Sequence, residues 1–181
     1  MCSFGQRPTK LFVSGGQTVD GEWTKSVEIY DPQKRGWFMA TPSVHCRYAG
    51  SCCPWGGGIV VVGGRDEMGT ERGSRHCELY DPLRDEWRSL KDLHFEHGEF
   101  PAVWCDADDE GLYVASHFVD GGVVRYRVEM LDAADHLWTV VESKGVFRVE
   151  DTEKILKDAE RLKVLPVRVC CGVSIKMVSK E

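Results

Sequence analysis

The stretch that decides the fold is SVEIYDPQKRGW, residues 26–37. It returns as HCELYDPLRDEW at residues 76–87 and, more loosely, as RVEMLDAADHLW at residues 127–138. Trp37, Trp87 and Trp138 stand 50 and then 51 residues apart, and Asp31, Asp81 and Asp132 keep the same intervals. A period near 50 belongs to arrays in which each repeat is one small sheet.

Each part of the phrase has a structural reading. Val27/Ile29, Cys77/Leu79 and Val128/Met130 alternate at strand period, with polar neighbours expected to be partly exposed. The aspartate then turns the chain by accepting hydrogen bonds from amides just ahead of it, and the proline of the first two phrases presets its own φ. The tryptophan opens the next strand and brings the largest apolar surface of the unit. Upstream, LFVSGG closes at Gly15 and Gly16 and IVVVGG at Gly63 and Gly64, whereas the third run, LYVASH, has Ser116 and His117 there. A glycine pair permits positive φ and close backbone approach at a strand end. Gly15, Gly16, Tyr30, Asp31, Trp37, Gly63, Gly64, Tyr80, Asp81, Trp87, Asp132 and Trp138 are therefore expected to hold shape. The phrase holds neither a nucleophile with its base nor a phosphate cradle.

Composition narrows the function classes. The 181 residues are 42% hydrophobic and 29% charged, an ordinary balance for a folded chain. A net charge of −6 argues against a nucleic-acid or acidic-membrane surface, both of which need basic patches. No apolar run approaches the ~18 residues of a membrane span, and MCSFGQRPTK lacks the apolar stretch of a secretory signal. The expected location is cytoplasmic or nuclear. None of the eight cysteines forms a Cys-x-x-Cys pair. The doublets Cys52-Cys53 and Cys170-Cys171 lie in strand-like runs, where neighbours face opposite ways, so buried thiols are expected rather than a metal site. His94 and His97 lack the His-Glu-x-x-His pattern. Asp106, Asp108, Asp109 and Glu110 read as a hairpin tip rather than a calcium loop. Gly56 to Gly58 precede a strand, not a helix. No metal and no cofactor are expected.

The glycine pair, the Tyr-Asp-Pro and the tryptophan six residues past the aspartate resemble kelch repeats, the four-stranded blades of a β-propeller. PSVHCRYAGSCC, the run GGGIVVVGGRDEMGTERGSRHCELYDPLRDEW and EHGEF are further similar to the blades of plant F-box/kelch proteins. The resemblance covers residues 11–141 and implies an all-β fold: a partial kelch-type propeller of about three four-stranded blades over residues 1–142. It also implies a non-catalytic protein–protein interaction module, similar to the substrate-recognition part of F-box/kelch ubiquitin-ligase receptors. The alternative is a fragment of a kelch-type propeller enzyme, an oxidase or a sugar isomerase. No F-box is read in these residues, so ligase recruitment is expected to need sequence beyond them.

Two expectations concern the ends. Ten residues before Leu11 are too few for a first strand and its turn, so the chain is expected to start inside a blade. Residues 143–181 are expected to form a C-terminal helix at 151–163, with Ile155, Leu156, Ala159 and Leu162 on one stripe, and then a strand alternating from Val167 to Met177. This tail would cap the blades or close one of them. Three blades fall short of the four to eight that usually close a ring, so self-association through open blade edges is expected.

Strand direction places the candidate partner site. Within a blade the strands run up and down, so loops at 17–25, 65–76 and 119–124 emerge beside the inter-blade segments at 41–47 and 91–98. The resemblance implies a protein partner on this face, with Trp23, His45, Arg47, Arg65, Asp66, Glu67, Arg72, Glu96 and His97 as candidate contacts, and Arg75 beside them.

Overall fold

The structure is a computed structural model that describes residues 2–4, 10–65, 73–97, 101–105, 111–120 and 123–141. Among the described residues, twelve strands form three four-stranded antiparallel sheets, each a meander in chain order. Blade 1 contains β1 (Cys2–Phe4), β2 (Lys10–Ser14), β3 (Val27–Asp31) and β4 (Gly36–Ala40). Blade 2 contains β5 (Ser51–Trp55), β6 (Gly58–Val62), β7 (Cys77–Asp81) and β8 (Glu86–Ser89). Blade 3 contains β9 (Ala102–Cys105), β10 (Gly111–Asp120), β11 (Val123–Asp132) and β12 (Trp138–Val141). The expected all-β blade architecture is present. The expected helix at 151–163, the terminal strand and the whole 143–181 segment lie outside the described residues.

The repeated phrase is one hairpin, built three times. Tyr30 pairs with Trp37, Tyr80 with Trp87 and Leu131 with Trp138, the same register in each blade. At each turn the aspartate Oδ1 accepts from the amide two residues on: Gln33 at 2.9 Å, Leu83 at 2.8 Å and Ala134 at 2.7 Å. Two residues before each tryptophan the chain passes through positive φ, at Arg35 (51°), Asp85 (55°) and His136 (55°). A residue in that left-handed region lets a short turn reverse the strands while keeping their twist.

The blades stack face to face. Blade 2 lies in the middle, with Cys52, Ile59, Val61 and Tyr80 packed towards Phe12 and Val27 of blade 1. Its other face sends Cys53, Trp55, Val60, Val62, Cys77 and Leu79 against Val103, Leu112, Val114, Leu131 and Trp138 of blade 3. Burial on both faces is why β6 reads GIVVV, an unbroken apolar run, and why all five of its residues are buried. The Cys52–Cys53 doublet splits between the two cores, as strand alternation requires.

Three expectations change. The first blade has its first strand: Cys2–Phe4 pairs with β2 through Cys2↔Phe12, Ser3↔Leu11 and Phe4↔Lys10. Three residues suffice for an edge strand, so the stretch before Leu11 is long enough after all. The expected loop at 119–124 is the end of a ladder, with Val119↔Val124 and Asp120↔Val123 paired. Ser116 and His117 supply no glycine break, so β10 and β11 each run ten residues, against five for β2, β3, β6 and β7. Finally, what the described blades leave uncovered towards a further blade is a sheet face rather than a strand edge, because face stacking joins them.

Candidate partner-binding face

The loops at 17–25, 41–50 and 73–76 are tied to one another through the backbone. Gly16 donates to the Arg47 carbonyl at 2.8 Å and Ser43 to that of Lys25 at 3.0 Å. Tyr48 and Arg65 exchange both main-chain hydrogen bonds, at 2.9 and 2.8 Å. Ser74 is bridged to His97, and Leu93 donates to the Arg75 carbonyl. The segment at 41–50 is thus stitched to loops of the blade before it and the blade after it, and the segment at 91–97 to the 73–76 loop of the blade before it. Gly15 and Gly63 allow this closeness: a Cβ on Gly15 would lie 2.4 Å from the Arg47 carbonyl oxygen, and one on Gly63 would lie 3.0 Å from that of His97.

Beneath the loops lie two buried carboxylates that hold them. Glu78 Oε1 accepts from the amides of Val44 (2.8 Å) and His45 (3.3 Å), and Oε2 forms an ion pair with Arg47. Arg47 also donates to the Gly63 carbonyl at 2.9 Å. One repeat later Glu129 accepts from the amides of His94 (2.7 Å) and Phe95 (3.0 Å), from His97 Nε2 (3.0 Å), and pairs with His94 Nδ1 (2.8 Å). Both glutamates are 0% exposed. Burial alone would push the Glu129 carboxyl up, but hydrogen bonds from His97 and from the His94 and Phe95 amides outweigh it and hold it near 2.

Arg47 and His97 were expected to face solvent; instead they are 2% and 0% exposed and are the cationic or donor half of these clamps. The reason is non-local. Their acceptors lie on the third strand of the next blade, 31 and 32 residues on, and an unpaired buried carboxylate would be costly. The glutamates themselves were expected to be partly exposed. The overlooked signal lies in the phrase itself, which has glutamate at its third position every time: Glu28, Glu78 and Glu129.

The other candidates separate. Trp23 is half-buried and bridged to Gln17. Arg65 and Glu96 are half-buried, and Arg75 is exposed. His45 stacks on His76 with ring centroids 4.0 Å apart and planes 4° from parallel. Desolvation, and then the neighbouring His76, push the His45 pKa down. His76 Nδ1 in turn lies 3.2 Å from Asp92 Oδ1. His76 and Asp92 therefore join the face, although nothing in the repeat marked them. Asp66, Glu67 and Arg72 lie outside the described residues.

Three stacked four-stranded antiparallel sheets are the fold of blades in a kelch-type propeller, and comparison with known proteins agrees. Residues 46–94 match the Kelch motif family, from the first clamped loop through β8 and into the second. F-box/kelch-repeat protein SKIP30 of Arabidopsis thaliana is 34% identical over 97 residues, covering 48% of this chain and 27% of that protein. Human Kelch-like protein 23 is 24% identical over 135 residues, 74% of this chain and 23% of that protein. The chain thus spans about a quarter of the length of these curated relatives. Among solved structures, YjhT overlays with a TM-score of 0.57 at 14% identity, over 75% of this chain and 49% of that one. That likeness concerns the fold alone.

Proposed function

We propose that these blades form a non-catalytic recognition module that holds a protein partner on the stitched loop face, as the substrate-recognition part of an F-box/kelch ubiquitin-ligase receptor would. One observation carries this reading. The buried ionisable groups beneath the face, Glu78 with Arg47 and Glu129 with His97, are occupied in fixing main-chain amides. Groups so engaged make loops rigid, and rigid loops lose little entropy when they bind a partner. The names of the F-box/kelch and kelch-like relatives support a protein as the ligand class.

The test is affinity capture from cell extract with the chain immobilised. Trp23→Ala combined with Glu96→Lys alters half-buried loop positions on the proposed face and leaves the Glu78 and Glu129 clamps untouched. Arg84→Glu alters the exposed β7–β8 turn and serves as the control. The expected result is a set of proteins captured by wild type and by the control, reduced in the double variant and accompanied by a ligase adaptor when the full-length protein is used. Equal capture by all three would place the partner surface elsewhere, and capture without an adaptor would remove the ligase role.

A further inference from the structure

The segments at 41–50 and 91–97 each lay a ring against the first residue of the phrase that follows, and the two contacts differ in one respect. Phe95 lies under Arg127, whose guanidinium carbon is 4.9 Å from the ring centroid. The same two places one repeat earlier, 50 and 51 residues back, hold His45 and His76. Their rings are stacked, with centroids 4.0 Å apart and planes 4° from parallel. Arginine stays protonated, so the Arg127 contact is a cation on an aromatic face at any working pH. In the histidine pair each ring gains charge only by taking up a proton, which histidine does near neutrality. Both rings are half-buried, so protons reach them from solvent.

The surroundings treat the two rings unequally. His76 Nδ1 lies 3.2 Å from Asp92 Oδ1 on the second inter-blade segment, so a proton on His76 meets a carboxylate. A proton on His45 is opposed by burial and then by His76. Glu78 on β7 attracts it, while Arg47 on the same segment and Lys25 on the β2–β3 loop repel it. On balance His45 is held below the ordinary histidine value of 6.5. The main chain at His45 is pinned on both sides. Its amide donates to Glu78 Oε1 at 3.3 Å, and its carbonyl accepts from Ser43 Oγ at 3.0 Å. The neighbouring Val44 amide is held by the same carboxylate oxygen at 2.8 Å. What can yield is the ring.

We propose that His45 and His76 form a proton-operated switch on the loop face. With one proton on the pair the rings stay stacked, a histidinium against a neutral ring, which repeats the Arg127–Phe95 arrangement. A second proton sets two cations 4.0 Å apart, and His45 turns out into solvent above a main chain that stays in place. A turned-out ring regains the ordinary histidine value, so the open form takes up the proton more readily. The stacked form is therefore favoured above about pH 6.5 and is lost progressively as the pH falls below it. The face then carries two separate positive charges where it had one flat stack. The switch belongs to the loops themselves and does not depend on the face holding a protein.

Histidine-selective NMR of the full chain, from about pH 8 down to about pH 4.5, tests the proposal. His45 and His76 should titrate as a pair in two separated steps. The upfield shifts that stacking gives their ring protons should survive the first step and vanish in the second. The Val44 and His45 amides should keep their exchange protection through both. Asp92→Asn should weaken proton uptake in the first step by about 3-fold, the effect of losing an exposed ion pair. His45→Phe with His76→Arg, which copies the Phe95–Arg127 pair, should leave the amide shifts of residues 43–47 independent of pH. A single shared step with unchanged ring shifts overturns the proposal. So does a pH response that survives in the double variant. Loss of the Val44 and His45 amide protection in the second step also overturns it, because the segment and not the ring would then be what opens.

Discussion

Glu129 shows how one side chain sets a pH limit. Its folded pKa, near 2, lies below the ordinary glutamate value of 4.5, so its contribution to stability is complete above about pH 4.5 and fades as pH falls towards 2. A shift of that size corresponds to roughly 3 kcal/mol. Urea unfolding of the wild type at pH 6, 4 and 3 should show that loss. Glu129→Gln should be less stable at pH 6 and should lack this part of the acid slope; an unchanged slope would remove the clamp's electrostatic role. The tryptophans offer a second residue-scale test. Trp138→Ala should cost ~3–5 kcal/mol, because it empties a buried site between blades 2 and 3. Trp37→Ala in dilute solution should cost within about 1 kcal/mol, since half of its surface is already in water. Equal losses would contradict the difference in their surroundings.

At the scale of elements, the glycine pair decides whether a strand stops. In blade 2, Gly63 and Gly64 have φ of 61° and 83°, and β6 ends at Val62. Gly63→Ala would place a Cβ 2.8 Å from Pro101 as well as in a strained conformation, and it should destabilise by more than ~1 kcal/mol in thermal unfolding. In blade 3 the pair is absent and the ladder continues. Replacing Ser116 and His117 by glycines should therefore loosen the outer part of the β10–β11 hairpin, seen as faster amide exchange at residues 118–120 and 123–125; unchanged exchange would show that the pairing beyond is self-sufficient. The hairpins themselves were legible in the sequence because their signals are local: an aspartate, a turn and a tryptophan within seven residues. The burial of Arg47 and His97 was not. Each is explained only by a carboxylate on a neighbouring blade, and strand alternation within Cys77–Asp81 or Val123–Asp132 does not say what the polar side will meet. Cys2–Phe4 was missed for a related reason: a three-residue strand has too little pattern to be seen before its partner is known.

For the molecule as a whole, position in the stack should set local stability. Blade 2 has a neighbour on both faces, while blades 1 and 3 each have one among the described residues. In such linear stacks stability is approximately a sum of units and nearest-neighbour contacts. Native-state hydrogen exchange should accordingly find β6 and β7 the most protected and β1 and β4 among the least. Protection of β4 equal to that of β7 in dilute solution would mean that the stack is more cooperative than its contacts indicate.

The order in which the clamps are assembled bears on synthesis. In both, the loop that supplies the amides precedes the carboxylate that receives them: residues 44 and 45 emerge before Glu78, and 94 and 95 before Glu129. A nascent chain leaving the ribosome thus exposes each set of donors first, and the next blade to emerge brings the acid that finishes the one already made. Domains of growing chains fold from the N-terminus onward. Here each unit is a template awaiting its successor, so translation can build the blades in the direction in which it makes them.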